Sequence, residues 1–145
     1  MTKRRVRLGS GLDRQKLTDT IQQAFDSFEE MPGLSINAHA MEDGWLHLYP
    51  KAGVDAEGEM THVIGWLLTF GYPHDGEPGR KLSRLAMLGA EGVKLAAWEV
   101  GLYASYWLPP GTPPEDIADL TIALMREVQG VSEEAHLEVA LEYGL

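Results

Sequence analysis

Between residues 14 and 28 apolar side chains recur at three- and four-residue steps, at Leu17, Ile21, Ala24, Phe25 and Phe28. That period puts them on one face of a helix. Ser10 is suited to cap its first turn, and Pro32 with Gly33 supplies a stop, so the pattern predicts a helix reaching from Ser10 to about Met31. The period then changes to two. In "GLSINAHAMEDGWLHLYPK" apolar and polar residues alternate on both sides of a turn, and the loop length decides which of them share a face. A three-residue loop, Glu42-Asp43-Gly44, places Leu34, Ile36, Ala38 and Ala40 beside Leu46 and Leu48, with glycine in the left-handed position that follows a type I turn. In that register His39 stands opposite His47 on the other face.

"EMTHVIGWLLTFGYP" carries Met60, Val63, Ile64, Leu67 and Leu68 on a helical stripe before Gly71 and Pro73, which predicts a second helix. Residues 80–107 read as strands. A loop at Ala90-Glu91-Gly92 pairs Leu85 and Met87 with Leu95 and Ala97, and Glu99-Val100-Gly101 turns the chain again into "LYASYWL". In "GTPPEDIADLTIALMREVQGV" the residues Thr112 and Glu115 have the spacing of a capping box and Pro113 suits a first helical position. Ile117, Leu120, Leu124 and Val128 form its apolar stripe, and Gly130 ends it. "SEEAHLEVALEYGL" reads as a last helix capped by Ser132, with Leu137 and Leu141 inward.

The expected fold is therefore α+β, an antiparallel meander-like sheet of four to five strands packed with helices in the order α-ββ-α-ββ(β)-α-α. Its length, 145 residues, suits one domain over 11–145, preceded by a basic flexible arm over 1–10. The absence of cysteine removes disulfides, thiolate metal sites and cysteine nucleophiles. No apolar run approaches the roughly 18 residues that span a bilayer, and a soluble cytoplasmic protein is expected.

Charge divides the chain. Residues 1–16 hold six Lys/Arg against Asp13 alone, residues 95–145 hold Arg126 alone against nine Asp/Glu, and the net charge is −10. An acidic body disfavours broad nucleic-acid binding, because duplex affinity comes largely from neutralising phosphates. On the expected last helix Glu134, Glu138 and Glu142 stand four apart and line one face.

Little in the chain has the form of a catalytic apparatus. There is no G-x-S-x-G elbow, no phosphate-binding G-x-x-x-x-G-K-[ST] and no H-E-x-x-H, and no cofactor is expected. The exception is the His39 and His47 pair, whose expected opposition across a hairpin suits two ligands of a divalent metal. More telling is an aromatic surplus over the expected sheet: Trp45, Tyr49, Trp98, Tyr103 and Trp107.

An acidic chain that alternates helices around a sheet is similar to the small acidic chaperones that bind secretion effectors, and resembles in style the accessory proteins of bacteria and their phages. No residue role is carried over from that likeness. The expectation is a non-enzymatic adaptor or chaperone-like accessory protein, compatible with a homodimer. It would bind another protein or peptide through the aromatic sheet face or through Glu134, Glu138 and Glu142. An acidic inhibitor or DNA mimic of a mobile element, and a metal-dependent enzyme built on His39 and His47, are the alternatives.

Overall fold

A computed structural model describes residues 4–7, 13–39, 41–133 and 135–144. The elements are β1 (Arg4–Arg7), α1 (Arg14–Asp26), β2 (Gly33–Ala38), β3 (Trp45–Val54), β4 (Met60–Gly71), α2 (Pro78–Lys81), β5 (Lys94–Glu99), β6 (Tyr103–Leu108), α3 (Pro114–Ala123) and β7 (Leu137–Tyr143). The strands form one antiparallel sheet in the order β1-β7-β2-β3-β4-β6-β5. The α+β class stands, with seven strands where four to five were expected.

α1 forms on the predicted stripe, with Leu17, Ile21 and Ala24 buried. Its first turn is capped by Asp13, whose carboxylate accepts the Lys16 amide at 3.0 Å. Ser10 lies outside the described residues. The helix closes at Ser27, followed by a single 3-10 turn at Phe28–Glu30 and by Met31 at φ 54°, so Gly33 is free to begin β2.

β4 is a strand, not the expected helix. Apolar residues lie on both of its faces, so the run is nearly continuous and satisfies a helical stripe as well as an alternating one. Its place between β3 and β6 decides the matter: Trp66, Leu68 and Phe70 are wholly buried on one side, while Leu67 and Thr69 lie half-buried on the other. β7 is likewise a strand where a helix was expected. Leu137 and Leu141 satisfy a four-residue step, but Val139 and Tyr143 complete a period of two, and all four are buried. β7 enters the sheet between β2 and β1. Residues 4–7, expected in a flexible basic arm, pair as β1 along it.

Residues 80–88 are not a strand. Glu77 caps α2 by accepting the Gly79 and Arg80 amides at 2.7 and 3.0 Å. Successive turns then follow, with Leu85 N bonded to Leu82 O and Leu88 N to Leu85 O, which bury Leu82 and Leu88. The hairpin expected around Ala90-Glu91-Gly92 is replaced by β5 and β6, joined through Val100, Gly101 and Leu102.

α3 buries Ile117 and Leu120, and Leu124 and Val128 continue the stripe through a π turn at Leu124–Val128. The expected capping box does not form, because Thr112 Oγ1 donates to Pro109 O at 2.7 Å and Pro113 occupies the cap position without a side-chain bond. Gly130 at φ 73° ends the helix.

One buried cluster joins α1, α3 and the Leu82–Leu88 turns to Leu34, Ile36, Leu46, Leu48, Trp66, Leu68, Phe70, Tyr106 and Leu108 of the strands. All of these strand residues have even numbers. The helices therefore cover one face of the sheet, and the odd-numbered positions of β2 and β6, of β3 up to Lys51 and of β4 from Gly65 point away from them; beyond Lys51 bulges change the alternation. Within the covered layer, burial pushes the Tyr106 phenol up to about 12, so it stays neutral.

The π turn delivers one buried polar clamp. Gln129 Nε2 donates to Trp45 O at 2.8 Å and to Gly71 O at 2.9 Å, tying the helix end to the start of β3 and the end of β4. Methionine there would keep most of the volume and leave two carbonyls without that donor. Gln129→Met is expected to lower unfolding free energy by about 2 kcal/mol in a denaturant titration. An unchanged midpoint would show that the clamp carries no weight.

Candidate functional site

The uncovered face is organised in rows by the strand register. Its middle row is polar: Ser35 pairs with His47, His47 with Thr69, and Thr69 with Ser105. Thr69 and Ser105 hydroxyls are hydrogen-bonded at 2.8 Å. On one side the row Tyr49, Leu67 and Trp107 runs parallel to it, ending at Lys94. On the other side Asn37 pairs with Trp45, and Gly71 pairs with Tyr103. A polar strip about one side chain wide thus lies between two rows rich in aromatic groups.

Two glycines make room for the indoles. A Cβ on Gly65 would run into the ring of Trp107, and one on Gly71 would lie 3.0 Å from Trp45 Nε1 as well as striking the backbone at Asp43. Both rings therefore lie low along the sheet. Lys51 Nζ sits 5.5 Å from the centre of the Tyr49 ring.

Tyr49 joins two hollows. One, of about 350 Å³, is lined by Ser35, Asn37, His47, Tyr49 and Glu142. The other, of about 480 Å³, is mostly apolar and runs over Phe28, Met31, Pro50, Val54 and Met60. Val54 is 65% exposed, with Met31 at 42% and Ile64 at 41%.

The histidines are not opposed as expected. β2 and β3 have their apolar residues on the predicted common face, but the register is shifted, so that Ser35 lies opposite His47 and Ala38 N bonds to Gly44 O across a longer loop. β2 is paired on its other side with β7 as far as Ala38, opposite Leu137, which carries His39 to the start of β7. His39 stacks on His136 with ring centres 5.2 Å apart, and its Nε2 lies 3.3 Å from Glu138 Oε2. His47 instead packs against Trp45, ring centres 5.3 Å apart. Among the described residues, no group of three or more His, Asp or Glu is placed to hold a metal ion.

The remaining candidates separate as follows. Trp45, Tyr49, Tyr103 and Trp107 are half-buried on the uncovered face. Trp98 is not with them: it pairs with Ala104 on the helix side and lies 42% exposed at the sheet edge. The acidic helix face is replaced by strand β7, where Glu138 and Glu142 share one side and lie half-buried. Glu134 lies outside the described residues. Sequence reasoning missed Leu67 and Thr69 because β4 reads as a helix, and alternation in "GWLLTFG" is the signal that places them; Ser105, in the expected strand "LYASYWL", gains its place in the row only through Thr69. It also missed the two glycines that seat the indoles.

His47 titrates below the ordinary imidazole range because the surrounding protein strips water from its charged form, with Glu142 pulling weakly the other way. A folded value below the unfolded one means that the unfolded chain takes the proton more readily, so stability drops as pH falls through the unfolded value of about 6.5. His47→Gln is expected to lose less stability than the parent protein between pH 7.5 and 5.5, read by paired denaturant titrations; equal losses would contradict the assignment. Gly65→Ala is expected to displace the Trp107 ring and raise tryptophan quenching by acrylamide, and unchanged quenching would contradict the seat described for it.

Among the described residues no helix is long and apolar enough to cross a membrane. No protein-family model, curated protein or solved structure matches the chain.

Proposed function

We propose that this is a non-enzymatic adaptor or chaperone-like protein whose uncovered sheet face holds a segment of another protein. The observation that carries the reading is the bare face itself. A sheet with helices on one side ordinarily presents polar groups on the other, whereas here Trp45, Tyr49, Leu67, Tyr103 and Trp107 flank a polar strip and continue into the apolar hollow over Phe28 and Met60. Half-exposed Trp and Tyr offer large contact area at little entropic loss, which is why such residues dominate protein interfaces.

The occupant that fits is an apolar segment flanked by lysine or arginine. Its apolar side chains would fill the hollow beside Tyr49, its polar backbone groups would meet Ser35, Thr69 and their neighbours, and its positive charge would suit a chain of net charge −10. A nucleic acid would meet the same rings but would be repelled by that charge.

The test is selection from a displayed random-peptide library, followed by titration of the recovered peptides. Apolar sequences flanked by basic residues are expected, with Tyr49→Ala weakening them by about tenfold or more and Trp98→Ala leaving them unchanged. Recovery of acidic peptides, or equal binding by the Tyr49 variant, would overturn the reading.

A further inference from the structure

The two edges of the sheet differ. β1 carries Arg4, Arg5 and Arg7 in a four-residue strand, and such short charged edges resist pairing with another sheet. β5 is longer, with Trp98 42% exposed, and the turn that follows it exposes Val100 at 42% and Leu102 at 53%. All residues of β5 but Leu95 are exposed. It has a bulge between Leu95 and Ala97, and its charges stand at its two ends, Lys94 and Glu99.

That bulge sets an unusual pattern of faces. Lys94 pairs with Trp107, Ala97 with Ser105 and Glu99 with Tyr103, all on the uncovered side, while Leu95 pairs with Tyr106 and Trp98 with Ala104 on the helix side. The extra residue, Ala96, means that Lys94 and Glu99 share a face although they are five apart in sequence. Leu95 and Trp98 share the other face although they are three apart.

We propose that β5 pairs antiparallel with β5 of a second copy of this chain, about a twofold axis perpendicular to the sheet between Ala96 and Ala97. In an antiparallel pair related by such an axis, directly opposed residues must lie on the same face. A regular strand could not meet that condition at this register, and the bulged strand does. Lys94 then opposes the partner's Glu99, and Leu95 opposes the partner's Trp98. Small residues, Ala96 and Ala97, meet at the axis, where two strands can approach without obstruction. Each contact occurs twice, giving two opposite-charge pairs on the uncovered side and two apolar pairs on the helix side. Val100 and Leu102, in the turn beyond, then come beside the segment that leads into β5 of the second copy. The result is a continuous sheet of fourteen strands.

The occupant is a second copy because the strand complements itself in both charge and hydrophobicity at one register. A foreign strand would need to repeat that pattern by chance. This inference concerns the edge and stands apart from the peptide-holding role given to the uncovered face.

Sedimentation velocity on the full chain, from about 1 to 300 µM, is expected to show a species of twice the 16.0 kDa monomer that grows with concentration. Lys94→Glu and Glu99→Lys each turn both charge pairs into like-charge pairs and are expected to weaken the dimer by about tenfold. The double variant restores opposite charges in swapped order and is expected to recover the parent dimer. Both positions are exposed, and an unchanged circular dichroism spectrum will establish that each variant is folded. A strictly monomeric protein over that range overturns the proposal. So does a dimer that either single variant leaves intact, or one that the double variant fails to restore.

Discussion

Among the described residues the helix layer covers one face of the sheet and leaves the other bare, and the remaining features of the molecule follow from that constraint. α1, α3 and the Leu82–Leu88 turns join the even-numbered residues of β2, β3, β4 and β6 in one buried cluster. Burying a side chain such as Leu48 or Ile36 contributes roughly 1.5–3 kcal/mol, and a slip of one residue in any central strand would send that whole set to solvent. The register is therefore held by the cluster, and the register in turn writes the uncovered face. Thr69 meets Ser105, and Leu67 meets Trp107, because Leu68 and Phe70 must point the other way.

The same constraint accounts for the divided character of the aromatic residues. Trp66, Phe70, Tyr72 and Tyr106 are packed under the helices. Trp45, Tyr49, Tyr103 and Trp107 stand on the far side, with the Trp107 and Trp45 indoles seated against Gly65 and Gly71. Trp98 belongs to neither group, because β5 is the edge strand and leaves it 42% exposed on the helix side.

Sequence patterning made the helix stripes legible. Leu17 to Ala24 and Ile117 to Val128 follow a period that few alternatives satisfy, and the common face of Leu34, Ile36, Leu46 and Leu48 was readable from alternation alone. The opposition of His39 and His47 was not, because a register shift that preserves the face leaves the apolar pattern unchanged. β4 and β7 were misread for a related reason. A step of four residues is a multiple of two, so Leu137 and Leu141 fit a helix as well as a strand, and only pairing with β1 and β2 distinguishes them. The site inherited these errors. Trp45, Tyr49, Tyr103 and Trp107 were recognisable as residue types, yet the polar row between them exists only through contacts among distant segments.

Hydroxyl-radical footprinting with mass spectrometry reads the exposure of the partly aromatic face. Rapid modification of Tyr49 and Trp107 is expected in the native protein, with Trp66, Phe70 and Tyr106 protected until the chain unfolds. Equal protection of Tyr49, Trp107 and Trp66 would mean that both faces are covered, and would contradict that expectation.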